Sequence, residues 1–155
     1  MANNKDLDIL LVEDNPGDVA LITQALAETD IHPVLHRVAD GIEAMQFLRR
    51  QAPCENAIKP AIIILDINLP KKSGQDVLAE IKSDPVLALI PVIVFSSSDS
   101  PEDVSACYAL YANCYIVKPR DLPGMTETIR SLVNFWLKTV KLPAESESFT
   151  GGANK

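Results

Sequence analysis

The chain has 155 residues, 47% of them apolar, enough for one domain with a full core. Its formal net charge of −7 argues against nucleic acid as the main partner, because binding phosphates needs clustered Lys and Arg. No apolar run is long enough to span a membrane, no signal pattern precedes Leu7, and Cys54, Cys107 and Cys114 form no C-x-x-C pair, so a reducing cytoplasm is the expected address.

Asp8 to Val12 reads as a first strand, apolar on both faces and ending in Glu13-Asp14. Asn15-Pro16-Gly17-Asp18 reads as a helix start: Asn15 caps, Pro16 fits the first helical position, and Asp18 suits the positive end. That helix is expected to run to about Thr29. Pro33 to Ala39 reads as a second strand, more polar and so nearer an edge; a helix from Ile42 to Arg50 and a loop to Pro60 follow. Ile62-Ile63-Ile64-Leu65 is a continuous apolar run suited to a strand buried on both faces, and it ends in Asp66. Val77, Leu78 and Ile81 mark a third helix, closed by Asp84-Pro85.

Pro91 to Phe95 is a fourth buried strand. Ser100-Pro101-Glu102-Asp103 starts a helix that is expected to end near Tyr111. Cys114 to Val117 is a short fifth strand closed by Lys118-Pro119. A fifth helix is expected from about Gly124 to Lys141, stopped by Pro143. Residues 1–143 then form one domain, and 144–155, rich in Ser, Glu, Gly and Asn, read as a disordered tail. The alternation of strand and helix argues for an α/β fold: a doubly wound, five-stranded parallel sheet with helices on both faces.

In a parallel sheet all strands point the same way. Glu13-Asp14, Asp66, Ser96 and Lys118 therefore share one edge, where open α/β sheets place their ligands. Three carboxylates crowded together need a reason, and a hard divalent cation supplies one. Mg²⁺, or Mn²⁺ in its place, suits an all-oxygen set that keeps waters and accepts phosphate oxygens. The absence of His and Cys nearby disfavours zinc and copper. Asp66 is the candidate nucleophile, forming an aspartyl phosphate; Lys118 pairs with Asp66 or a phosphoryl oxygen, and Ser96 donates to the phosphoryl.

These residues carry a resemblance. Val12-Glu13-Asp14-Asn15, Leu65-Asp66-Ile67-Asn68-Leu69-Pro70, Pro91-Val92-Ile93-Val94-Phe95-Ser96 and Lys118-Pro119, in this order at strand ends, resemble the receiver domain of two-component response regulators, the CheY-like (flavodoxin-like) fold. The resemblance spans Asp8 to about Leu142. It implies that Asp66 accepts the phosphoryl group, that Glu13 and Asp14 are metal acids, and that the Asn68 main-chain carbonyl is a third protein ligand. It further implies that Ser96 is the switch hydroxyl, Lys118 the phosphate-contacting lysine and Tyr115 the switch aromatic.

Ala112-Asn113-Cys114-Tyr115 and the run from Phe135 to Pro143 narrow the likeness to the stand-alone regulators paired with cyanobacterial phytochromes. That implies a light-regulated histidine kinase as donor and a homodimer. Activity of its own would be limited to taking phosphoryl from a donor and losing it again. The helix-one surface from Asp18 to Glu28 is the kinase-docking expectation, by family analogy only.

Phosphorylation would draw Ser96 in, and the vacated space could admit the Tyr115 ring, repacking the face made by helix four, strand five and helix five. A plain half-buried strand aromatic is the alternative for Tyr115. On helix five, Met125, Ile129, Leu132, Val133, Trp136 and Val140 fall on one face. Phe135 and Leu142 are expected to project away from it, as interface candidates. His32 and His36 read as ordinary residues around strand two, and Lys71-Lys72 as a solvated pair.

Other chemistries fit less well. An aspartyl phosphatase needs a second Asp two residues after the first, and position 68 is Asn. A flavin carrier of this topology needs a phosphate-holding first loop, and Glu13-Asp14 would repel one. A receiver acting as an interaction module without phosphorylation, or as a phosphorelay intermediate, remains an open alternative.

Overall fold

Most strand residues are Ile, Leu or Val, and their side chains alternate between the two faces of one sheet. In the computed structural model, which describes residues 7–143, the strands are β1 (Asp8–Val12), β2 (Val34–Val38), β3 (Ile62–Leu65), β4 (Val92–Ser96) and β5 (Cys114–Val117). All pair in parallel, in the order β2-β1-β3-β4-β5. The more polar β2 lies at an edge, as its composition predicts. Four helices cross over between the strands, α1 (Pro16–Ala27), α2 (Gly41–Arg49), α3 (Gly74–Ser83) and α4 (Pro101–Ala109), and α5 (Leu122–Val133) follows β5.

The period-two pattern divides the core in two. Leu10, Val12, Ile63, Leu65, Val92 and Val94 pack with Ala44, Val77, Leu78, Ile81 and Cys107, from α2, α3 and α4. On the other face Ile9, Leu11, Ile62, Ile64, Ile93 and Phe95 pack with Ile22 and Ala25 of α1 and Met125, Ile129, Leu132 and Val133 of α5. This is the doubly wound fold expected. The crossovers reverse direction between β1 and β3, and that reversal opens a crevice at the carboxyl ends of these two strands.

The caps read from sequence are in place. Asn15 Oδ1 accepts from Asp18 N–H (3.0 Å), and Ser100 Oγ from Asp103 N–H (3.1 Å). Several bounds differ from expectation. α1 ends at Ala27 and α4 at Ala109, and Tyr111 takes a left-handed conformation with φ 70°. A short 3-10 turn at Leu87–Leu89 was not legible. α5 begins at Leu122, because Asp121 Oδ1 caps Gly124 N–H at 2.7 Å. Its end is not α-helical: Asn134–Thr139 forms a π-helical turn.

That turn corrects one expectation. Leu142 does not project outward; it is half-buried against the α1/α5 core, together with Trp136 and Leu137. A π turn holds more residues than an α turn, and the helix then ends at Thr139 with Val140 extended, so a 3.6-residue period carried to Leu142 assigns the wrong face. Phe135 is 50% exposed, as expected. The Lys71-Lys72 pair is also less free than expected: Lys71 Nζ lies 3.5 Å from Asp40, and Lys72 pairs with Glu80. His36 Nε2 bonds Asp8 Oδ1 at 2.9 Å. Among the described residues no helix is long and apolar enough to cross a membrane. The segment 144–155, read as a tail, lies outside the described residues.

One glycine positions the crevice. A Cβ on Gly74, the first residue of α3, would overlap the carbonyl oxygen of Asp66 and Cα of Ile67. These are backbone atoms, so the overlap is relieved only by moving α3 or the loop that carries Asp66. Gly74→Ala is expected to destabilise the fold by about 1–3 kcal/mol, the usual range for overpacking a well-packed site. A urea unfolding midpoint equal to that of the unsubstituted protein would show that this contact imposes no constraint.

Candidate functional site

Three strand ladders extend one residue beyond their strands and deliver the site. Glu13 N–H donates to Val38 O (3.1 Å), Asp66 N–H to Val12 O (3.1 Å), and Lys118 N–H to Ser96 O (2.8 Å). Backbone hydrogen bonds therefore set where these side chains start. The register places Val12 opposite Leu65, and Ser96 opposite Val117. Glu13 and Asp66 thus leave adjacent strands at the same level, and Lys118 follows one step beyond Ser96.

The structure brings Glu13, Asp66 and Lys118 into direct contact. Lys118 Nζ lies 2.7 Å from Glu13 Oε1, 2.9 Å from Asp66 Oδ2 and 2.8 Å from Asp18 Oδ2. All but Asp18 are almost fully buried. The other Asp66 oxygen, Oδ1, accepts from Asn68 N–H at 3.0 Å. Asp14 is exposed at the mouth. One carboxylate oxygen from each of Glu13, Asp14 and Asp66 lies within 4.8 Å of the others.

These placements shape the electrostatics. Burial raises the Glu13 carboxyl to about 7; the Asp66 charge adds to this, and the hydrogen bonds from Lys118 and Asn15 oppose it. Burial disfavours the Lys118 ammonium, but its bonds to Asp18, Glu13 and Asp66 outweigh that and hold it above the ordinary lysine range. The donor set is all oxygen, with an excess of carboxyls over ammonium groups. This chemistry fits a hard divalent cation.

Ser96 is fully buried at the end of β4, where its Oγ accepts from Ser98 N–H at 3.2 Å. Tyr115 lies across β4, and its phenol donates to Ser98 O at 2.8 Å. Its ring is half-buried and packs against the core on the α4 side. Burial lifts the phenol above its ordinary range, and hydrogen bonding to Ser96 and Ser98 works the other way.

Two residues that contribute to the site were not singled out from sequence. Asp18 was read as a helix-start acid and as the first residue of the expected docking surface, not as part of the site. Its position in the first turn of α1, directly after the β1 acids, was the available signal. Arg37 on β2 donates from Nε to Glu13 O (3.0 Å) and from Nη2 to Asp14 O (3.3 Å), fixing the backbone of the acidic loop. Nothing in an edge-strand arginine signals that role. Phe135 and Leu142 lie apart from the site, on the segment after α5.

Comparison with known proteins accords with this geometry. Residues 9–130 match the family model for the response regulator receiver domain. The response regulator Rcp1 of Synechocystis sp. is 46% identical over 136 residues, covering 88% of this chain and 92% of that one. The crystal structure of the phosphorylated cyanobacterial phytochrome response regulator RcpA superposes with a TM-score of 0.87 at 45% identity, covering 90% of this chain and 100% of that one. The Mn²⁺-bound form of Rcp1 superposes with a TM-score of 0.85 at 45% identity, covering 89% and 99%. With carboxylates, lysine and hydroxyl gathered at the sheet's carboxyl edge and the family model matching most of its length, this chain belongs to the response regulator receiver domain family.

Proposed function

We propose that Asp66 accepts a phosphoryl group from a histidine kinase, and that the phytochrome-type kinases are the donor class. One observation carries the reading: Asp66 is buried at the end of the central strand, bonded to Lys118, and within reach of the Glu13 and Asp14 carboxylates. Similarity to RcpA, a phytochrome response regulator, supports the donor class. An Asp66 carboxylate oxygen forms a bond to phosphorus as the bond from phosphorus to the donor breaks. The product is an acyl phosphate on this chain. Lys118 then pairs with a phosphoryl oxygen, and Ser96 Oγ turns to donate to another. The chain is a phosphoryl acceptor, not a conventional enzyme.

Glu13, Asp14 and Asp66, with the Asn68 carbonyl, would hold Mg²⁺, or Mn²⁺ as in Rcp1. Such an ion neutralises charge on the phosphoryl oxygens when bound. Asp18 and Lys118 orient Asp66, and Arg37 steadies the loop that carries the metal acids.

A homodimer through the α5 end is part of the proposal. Phe135, in edge contact with Trp136 at 5.4 Å, flanks a groove of about 660 Å³ lined also by Cys114, Ile116 and Leu132. An exposed aromatic beside an apolar groove fits a self-complementary contact.

Incubation with acetyl phosphate and Mg²⁺ is expected to add one phosphoryl mass to the wild-type chain and none to Asp66→Asn. No adduct on folded wild type would overturn the reading. For the cation, burial places the Glu13 proton near pH 7, and that proton must leave when the carboxylate binds an ion. Mn²⁺ affinity measured by calorimetry should fall as pH drops below about 7, approaching roughly tenfold per pH unit for one displaced proton. Equal affinity at pH 6 and pH 8 would remove Glu13 from the cation set. In sedimentation at high concentration, wild type should be dimeric and Phe135→Glu monomeric; a monomeric wild type, with and without a phosphoryl mimic, rules out the dimer.

A further inference from the structure

We propose that Ser98 and Asp103 are positioning residues of the switch: the Ser98 hydroxyl relays a capping bond of α4 and so fixes the backbone groups that hold Ser96 and Tyr115. The inference rests on the phosphoryl-acceptor reading of Asp66 and deepens it.

It starts from an irregular helix cap. In the usual capping box, the acid three residues after the cap reaches back to a backbone N–H at the helix entrance. α2 has a related bond, in which Glu43 Oε1 accepts at 2.9 Å from the N–H of Ala39, the residue before the Asp40 cap. In α4 the acid is Asp103, one methylene shorter. Ser100 N–H donates instead to Ser98 Oγ (3.3 Å), and Ser98 Oγ donates to Asp103 Oδ2 at 2.6 Å. A hydroxyl can accept and donate at once, so Ser98 bridges the gap left by the shorter side chain. The 2.6 Å bond lies in the short range typical of a hydroxyl on a carboxylate.

The relay immobilises Ser98, whose other polar groups both face the switch. Its N–H donates to Ser96 Oγ (3.2 Å), and its carbonyl accepts from the Tyr115 phenol (2.8 Å). Tyr115 N–H also donates to Tyr108 OH of α4 at 3.2 Å, a second tie between α4 and β5. One residue thus joins the hydroxyl that meets the phosphoryl, the aromatic that would report it, and the start of α4. When Ser96 Oγ turns toward the phosphoryl, Ser98 N–H loses its partner. The relay then determines that Ser98 moves with α4 as a unit and carries Tyr115 with it. Without the relay, the Ser98 backbone is free to adjust locally, and the movement of Ser96 stops there.

The test uses the full chain labelled with 3-fluorotyrosine, its Tyr115 resonance assigned by Tyr115→Phe. Spectra are compared without and with beryllofluoride and Mg²⁺. Ser98→Ala and Asp103→Ala remove the relay. Ser98→Thr restores the hydroxyl. Ser100→Ala removes the ordinary cap to Asp103 N–H and leaves the relay groups in place, which controls for simple weakening of α4. Ser98→Ala and Asp103→Ala should displace the Tyr115 resonance before any addition and lose most of the shift caused by beryllofluoride. Ser98→Thr and Ser100→Ala should follow wild type. The relay is wrong if both alanine variants respond as wild type does, or if Ser100→Ala behaves like them. Acetyl phosphate labelling of each variant keeps the two proposals apart. A wild type that takes no adduct refutes Asp66 as acceptor, while the displacement seen before any addition still judges the relay.

Discussion

A lysine ammonium nearly shut off from water, its side chain 6% exposed, sits where three elements meet. Taking such a charge out of water costs several kcal/mol unless good partners replace the solvent. Here Glu13 from the end of β1, Asp18 from the first turn of α1 and Asp66 from the end of β3 all lie within 2.9 Å of Nζ. The dependence is mutual. Without Lys118 these carboxyls would face one another across a buried crevice, and the carboxyl edge of the sheet would be held apart by their repulsion.

The sheet makes this contact possible by its topology. Because the winding reverses between β1 and β3, the helices that follow these two strands leave toward opposite faces of the sheet, and the crevice lies between their ends. Backbone bonds from Glu13, Asp66 and Lys118 carry the ladders one residue past the strands, so the charged groups leave from fixed points. Gly74 lets α3 start against the Asp66 peptide, and Arg37 anchors the Glu13 and Asp14 carbonyls from the far side. Groups positioned in this way need little reorganisation when charge develops among them.

Much of this was legible in the sequence, for a physical reason. Glu13, Asp14, Asp66 and Lys118 each end an apolar run, and a parallel sheet brings all such ends to one edge. Asp18 was not legible, because a first-turn acid is sufficiently explained by the helix it begins. Its second role exists only through Lys118, 100 residues away in sequence. Leu142 was misplaced because helical period was extended through Asn134–Thr139, where the backbone changes its pitch, and past Val140, where it becomes extended. Ser98 bonds Asp103 through its hydroxyl, and Ser96 and Tyr115 through its backbone N–H and carbonyl, a set of contacts that no spacing in the sequence signals.

The crevice is best understood as a place that demands positive charge and can receive it in three forms. Lys118 supplies one permanently. A proton on Glu13 supplies another, since burial holds that carboxyl near 7. A divalent cation at Glu13, Asp14 and Asp66 would supply the third and displace the proton. A phosphoryl group on Asp66 would remove one carboxylate charge and add roughly 1.5 to 2 negative charges in its place. The proton cannot balance that, because it occupies an oxygen the cation needs, and Lys118 alone already serves three carboxyls. On the proposed reading, phosphorylation therefore has to redistribute the Lys118 contacts. The bond to Asp66 is the one given up, because that oxygen belongs to the group being modified, while Glu13 and Asp18 can keep the ammonium beside the new phosphoryl oxygens.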